Sequence, residues 1–590
     1  MVIRFAVLIG ILGTLGCGSL VKSVPYANII MVDADGHPVD PRGYGPCELD
    51  TEGNCNKRQS ILRSYSQFGT ISEYGRHIKN VLKGLEEHKK ERRPHKILIH
   101  VHGGLNFQTG TVERAIELSQ DVLKDTDAYP VFINWQSSFF PSYWNHLTHI
   151  RQAEDWSQGS WSQGWAYATA PFYLSADVAR SAIRIPTATF FQVRNDIETV
   201  PALRFLHSSD LVLAQQATFD ELCRRRFGPS AWVEGALYEY MTALDKQIAD
   251  CPKTEGARKG ELSDPKAKNS EDFNMWLGLD QRAWSDKFWA SLKYVITSPF
   301  KLASAPIIDA FGTSSWDVML RSVAQLFHYD GSPPPNWNED ESEDGEYDFT
   351  RTGALAVFFD QLRTKICNYD KQTVSTRSSH REGCPNKDSW EITLVGHSTG
   401  AIIVNRIIRE FGDLPIKNVV YMAAASTIKD YQDTIFPYLL ERNVGTASGD
   451  LTRLCDTKNA SNDSNADGRN IVCVYHLMLH EAAESGEWFN DILDPFPRGS
   501  LLVWLDNFLS HPLSREDRTL GRFTNFIAAA HHTPALIRPS ISIVKFGVGE
   551  GVLSPQKHGD FGGRLKFWIP KCWAGPPKHP RECYRELGHY

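Results

Sequence analysis

The 590-residue chain has no CxxC pair, no HExxH and no other grouping of His, Cys, Asp and Glu at metal-ligand spacing. A dithiol redox centre and a zinc site therefore have no support in the sequence, and no cofactor is called for. It has no basic tract and no basic patch interleaved with aromatics, and its net charge of -7 is mild for the length. Nucleic-acid binding is not indicated. Internal repeats are missing too, which argues against a solenoid or propeller.

What remains is an ordinary globular composition, 42% hydrophobic and 23% charged, in a chain long enough for several domains or for one enlarged by insertions. Residues 1–16 carry one cation (Arg4), an apolar run over Phe5–Leu15 and then small residues, the layout of an export signal. Thr14-Leu15-Gly16-Cys17 resembles a bacterial lipobox, which implies cleavage before Cys17 and lipidation of its thiol. Thr14 stands where leucine is usual, and an ordinary signal peptide is the alternative. The expected location is thus outside the cytoplasm, anchored in a periplasmic or cell-surface membrane rather than free.

Of eleven cysteines, setting aside Cys17 leaves ten, and these fall as near neighbours along the chain. Bridges are expected for Cys47–Cys55, Cys223–Cys251, Cys367–Cys384, Cys455–Cys473 and Cys572–Cys583, each closing a short loop, as suits an oxidising compartment.

Short apolar runs followed by helical periodicity recur: KILIHVH, YPVFINW, EITLVGH, KNVVYMAAA, NIVCVYHLML and SISIVKFG. Each is continuously hydrophobic rather than alternating, as strands covered on both faces should be, which predicts a mostly parallel sheet flanked by helices. Val112, Ala115, Ile116 and Ser119 share one side of a helix after the first run. Val404, Ile407, Ile408 and Phe411 do so after the third, where Gly412 occupies the C-terminal cap position. Upstream, ANIIMVDADGHPVD predicts a hairpin turning at Asp35-Gly36.

The expected organisation is a first half of an α/β core over 26–150, a largely helical insertion over 151–350, and the second half of the core over 351–590. The insertion is too long for a simple connection. Its polar stretches PKTEGARKGELSDPKAKNSED and DGSPPPNWNEDESEDGEYD read as exposed loops. Its aromatic helix from Trp165 is most simply core; a cap over a pocket or a face resting on lipid are the other readings.

Gly396-His397-Ser398-Thr399-Gly400 joins a strand to an amphipathic helix, where small flanking residues allow a sharp turn that projects the Ser398 hydroxyl above the sheet. The helix start offers the Thr399 N–H to a developing oxyanion. Earlier, His102-Gly103-Gly104 ends a strand, and Gly104 or Leu105 is the expected second donor.

HGG after one strand and GHSTG after a later one resemble the α/β-hydrolase fold, in its lipase and esterase branch. The resemblance spans roughly 95 to 150 and 385 to 565. It implies the chain order Ser, acid, His, with the general base in the loop after the last strand, where His558 stands. His511, His531, His532 and His589 are rivals. The acid should follow the fifth run: Glu481 is nearest, Glu484 one helical turn later, and Glu487, Asp491 and Asp494 lie beyond. Glu replaces the commoner Asp, a departure that leaves the acid's identity open.

The expected activity is hydrolysis of carboxylic esters, lipid-like substrates included, through an acyl-enzyme. An acyltransferase with the same triad, or a non-catalytic surface or assembly protein on the same fold, are the alternatives. Asp463-Ser464-Asn465-Ala466-Asp467-Gly468 begins like a calcium loop, but Val474 replaces the bidentate glutamate at its twelfth position, so a solvated loop is expected.

Overall fold

A computed structural model describes residues 26–43, 71–88, 94–104, 108–148, 150–151, 154–155, 160–199, 284–328, 353–367, 384, 389–443, 471–479, 483–484, 487, 496–530, 532–534, 536–546, 555, 557–573 and 583–585. The signal segment, Cys17, Leu105, Glu481 and the DxNxDG loop lie outside these residues, as do the two polar stretches of the insertion.

The strands are β1 (Ile29–Val32), β2 (Pro38–Val39), β3 (His95–Val101), β4 (Ala128–Trp135), the small pair β5 (Ile150–Arg151) and β6 (Glu154–Asp155), β7 (Trp390–His397), β8 (Ile416–Met422), β9 (Cys473–Leu479) and β10 (Ile541–Phe546). The helices are α1 (Ile71–Glu87), α2 (Gln108–Asp125), α3 (Phe139–Thr148), α4 (Ser160–Thr199), α5 (Trp284–Leu326), α6 (Ala354–Cys367), α7 (Gly400–Phe411), α8 (Ile428–Asn443), α9 (Leu501–Trp504), α10 (Phe523–Ala530) and α11 (Asp560–Gly563).

Eight strands form one sheet in the order β10-β9-β8-β7-β3-β4-β1-β2. All neighbours pair parallel except β1 with β2, the expected hairpin, whose Gly36 turns at φ 86. That positive φ is the left-handed region that glycine enters without steric cost. Each apolar run named above contributes one strand, and β3, β7, β8 and β9 are buried along most of their length. Such strands need cover on both faces, which the helices supply. Val112, Ala115, Ile116 and Ser119 of α2 and Val404, Ile407, Ile408 and Phe411 of α7 are all buried. Gly412 does cap α7, though in a right-handed conformation (φ -66), so no left-handed turn is needed there.

Two of the expected bridges, Cys367–Cys384 and Cys572–Cys583, are formed, and Cys473 is also disulfide-bonded. Cys47, Cys55, Cys223, Cys251 and Cys455 lie outside the described residues.

Between β4 and β7 the chain leaves the sheet as the long helices α4 and α5, which pack on each other and on α3. The simplest expectation for the aromatic stretch, burial as core, fails. Phe172 (74% exposed), Ile183 (76%) and Phe190 (63%) face outward. The helix turns Asp177 and Arg184 inward instead. No helix among the described residues is long and apolar enough to cross a membrane.

Candidate active site

The register sets the site. In the sheet Val101 of β3 lies opposite Gly396 of β7, and Gly396 opposite Tyr421 of β8, so the ends of three parallel strands come level beside Ser398. Ser398 sits between β7 and α7 at φ 52, in the left-handed region where a residue with a Cβ is strained by about 1 kcal/mol or more. Its backbone is fixed on three sides. The N–H donates to Met422 O (2.8 Å), while the carbonyl accepts from Ala401 N (3.1 Å) and Ala425 N (2.9 Å).

The flanking glycines are required by close approach. A Cβ on Gly396 would stand 2.9 Å from Ala401 Cα, and one on Gly400 would stand 2.4 Å from Val101 O. Neither backbone can yield easily, so both positions exclude a side chain. Thr399 occupies the N-cap of α7 without a side-chain cap bond, so its N–H stands ahead of the helix's own hydrogen-bond ladder.

The HGG loop lies directly against this elbow. A Cβ on Gly103 would meet Ser398 Cβ at 2.8 Å, and one on Gly104 would meet Thr399 Oγ1 at 2.9 Å. His102 anchors the loop: its Nε2 accepts from Trp135 N (3.0 Å), which leaves Nδ1 to donate to Gly103 O (2.6 Å). Both ring nitrogens are thereby used, and burial pushes the imidazole's pKa down to about 4, so it stays neutral. His102 is a latch between β3 and β4.

His558 reaches the same end of the sheet from the loop after β10. His397 Nε2 donates to the carbonyl of His558 (3.1 Å), and the two imidazoles lie 5.3 Å apart. The residue next to Ser398 thus holds the His558 loop in place. Burial, and secondarily His397, lowers the pKa of His558 well below the usual imidazole value. Ser398 Oγ, Thr399 Oγ1 and both ring nitrogens of His558 are buried without a hydrogen-bond partner. Buried polar atoms left unsatisfied in such a group mark a strained or functional site rather than a packing one.

The carboxylates differ from one another. Glu484 is buried and accepts from Ser500 Oγ, not from the His558 ring. Burial raises its pKa to about 8. Glu487, three residues on, accepts from the backbone N–H of His558 (2.9 Å), and burial raises it to about 7. The structure therefore brings together Ser398, Thr399 and Gly104, sets His558 against His397 with no hydrogen bond between its ring and the Ser398 hydroxyl, puts Glu484 in contact with Ser500, and makes Glu487 the carboxylate that touches the His558 loop. Two participants were not singled out from the sequence. His397, as the variable residue of GxSxG, carries no signal there. Glu487 stood among the later acids, but nothing in its spacing set it apart.

Beside the elbow, a cavity of about 240 Å³ is lined by His100, His102, Arg114, Asn134, His397 and Gly562 among others. His100 is stacked against Phe567 and held neutral by burial.

Compared with known proteins, the chain matches no family model, no curated protein and no solved structure. Fold and site therefore stand on their own geometry: an α/β protein with a mostly parallel eight-stranded sheet and a buried serine–histidine cluster at its strand ends.

Proposed function

We propose that the protein is an exported serine hydrolase of the α/β-hydrolase type, acting on carboxylic esters. The observation that carries this reading is Ser398: a residue with a side chain, held at φ 52 by three backbone bonds, its hydroxyl buried and unpaired under a glycine loop. Folding stability alone gives no reason to keep serine there, because both the strain and the unpaired hydroxyl cost free energy.

In the proposed reaction Ser398 Oγ attacks the ester carbonyl as its proton passes to His558, and the carbonyl oxygen takes up the negative charge. Thr399 N–H and the HGG loop, through Gly104 or Leu105, donate to that oxyanion. Collapse of the tetrahedral intermediate breaks the ester C–O bond, with His558 returning the proton to the leaving alcohol. Water then attacks the acyl-enzyme, with His558 again as base. Burial keeps the free imidazole of His558 neutral, the form from which a general base starts, while lowering its basicity. The acid that orients its ring is assigned to the loop after β9, which carries Glu481, Glu484 and Glu487. A lipid-like substrate and anchoring through Cys17 complete the proposal.

Labelling of the full chain with a fluorophosphonate, mapped by mass spectrometry, tests it. Modification at Ser398 that is lost in Ser398→Ala and His558→Ala supports the reading. A folded parent chain that does not label, or that labels elsewhere, overturns it. p-Nitrophenyl esters of increasing acyl length then define the substrate.

A further inference from the structure

Helices α4 and α5 are built inside out. Over 164–193 of α4 the only charged residues are Asp177, Arg180 and Arg184. Asp177 is buried, taking hydrogen bonds from Tyr143 (2.7 Å) and Ser314 (3.5 Å). Arg184 reaches across to Asp309, which is fully buried, with Nε to Oδ1 at 3.0 Å. Arg180 is half-buried. On α5, Lys301 is fully buried and donates to Thr297 Oγ1 (2.9 Å). The outward side over the same stretch presents Phe172, Ile183, Phe190, Val193, Phe300 and Ile307. At about 1.5 Å per residue this apolar band runs for about 40 Å along α4. It ends toward the sheet in exposed aromatic rings, Trp144 and Trp165, whereas further along α5 the surface turns charged at Asp317 and Arg321.

A water-soluble surface helix has the opposite arrangement. Large exposed apolar patches mark interaction sites, so the question is what covers this one. The hydroxyls of the band answer it. Thr169 Oγ1 donates to Trp165 O (2.8 Å) and Ser175 Oγ to Pro171 O (2.7 Å), each within its own helix. Both hydroxyls are thus satisfied by their own helix rather than from outside, as side chains facing hydrocarbon must be. A protein partner, by contrast, is met through hydrogen bonds at a polar rim. Charges sequestered on the inner side, Arg184 with Asp309 across the two helices, and exposed Trp at one end fit the same environment.

The structure assigns the outer face of the α4–α5 pair as a membrane-docking surface that dips into the interfacial region of a lipid bilayer. This contact is separate from any acyl chain on Cys17 and does not depend on Ser398. Because the band carries no exposed cation, its binding rests on apolar burial rather than on anionic headgroups.

The test is flotation of the chain from residue 18 onward, which carries neither the apolar Phe5–Leu15 run nor Cys17, with phosphatidylcholine vesicles at low and high salt. The chain should float at both. The variant Phe172→Asp/Ile183→Asp/Phe190→Asp should lose at least about tenfold in vesicle partition, while Leu536→Asp, an exposed leucine just ahead of the edge strand β10 (53% exposed), should not. Urea midpoints of both variants, followed by tryptophan fluorescence, report an intact fold separately. Equal flotation of the triple variant, or failure of the parent chain to float, overturns the proposal. So does a dimer in light scattering that the triple variant breaks without any effect on flotation, since the face then belongs to a second copy.

Discussion

Replacing Ser398 with alanine should make the protein more stable while abolishing its hydrolysis of esters. The hydroxyl is buried, with the residue only 1% exposed, and has no hydrogen-bond partner. Leaving such a group unsatisfied costs about 1–3 kcal/mol, which alanine removes, while the backbone strain at φ 52 remains. The net expectation is a gain of about 1 kcal/mol. Glycine relieves the strain as well, by about 1–2 kcal/mol, but gives back about 0.5–1 kcal/mol through the freedom it adds to the unfolded chain. Ser398→Gly should therefore match or slightly exceed Ser398→Ala. Threonine should do the reverse. It puts a second branch on Cβ at a left-handed φ, beneath Gly103, whose own Cβ position is only 2.8 Å from Ser398 Cβ. A loss of about 2 kcal/mol is expected from that strain and crowding. Urea unfolding under non-reducing conditions, followed by tryptophan fluorescence, measures the stabilities, and p-nitrophenyl ester turnover measures the activity. All three variants should lose several orders of magnitude in turnover. A Ser398→Ala protein less stable than the parent would mean that the hydroxyl contributes to the fold, and the reasoning from strain to function would fail.

Two further outcomes follow from the same geometry. Gly103→Ala should cost about 1–3 kcal/mol and suppress fluorophosphonate labelling, since the new methyl must push the HGG loop off Ser398 Cβ and His397 O; unchanged labelling would show that the loop does not need its close approach. Stability should peak at about pH 6.5, because below that four imidazoles outweigh two glutamates and above it only the glutamates still change. The buried imidazoles of His102 and His397 (about 4 each), His476 (about 3) and His558 lie below their unfolded value of 6.5, so their contribution is present above 6.5 and is lost as pH falls below it. Each contributes a slope of up to about 1.4 kcal/mol per pH unit. Glu484 (about 8) and Glu487 (about 7) lie above their unfolded value of 4.5, so their contribution is full below 4.5 and is lost as pH rises toward 8. Urea midpoints that rise steadily through pH 7 and 8 would contradict the burial of the two glutamates.

Sequence patterning carried the sheet because its information is local. Runs such as ILI in KILIHVH or VVYM in VVYMAAA, apolar at successive positions rather than alternating, call for helices on both faces, and a hairpin turn at Asp35-Gly36 follows from glycine's access to positive φ. GHSTG between a strand and an amphipathic helix likewise states its own backbone geometry, because close packing against Val101 and Ala401 leaves no room for a Cβ at Gly400 or Gly396. The two disulfides among the described residues that pair near neighbours belong with these, since a short loop brings its own ends together.

Other features depend on distances between segments that no local pattern encodes. His397 became a support for the His558 loop only when β7 and the loop after β10 met, 161 residues apart in sequence. Glu484 and Glu487, three positions apart on one loop, were separated by tertiary contacts alone: the one turned to Ser500, the other to the His558 backbone. The α4 helix shows the limit most clearly. Its apolar content is written in the chain, but which side faces out was decided by Asp177 and Arg184 finding partners on neighbouring helices, Tyr143 of α3 and Asp309 of α5. A buried charge must be paired, and that demand, met only in three dimensions, turned the hydrophobic side chains outward.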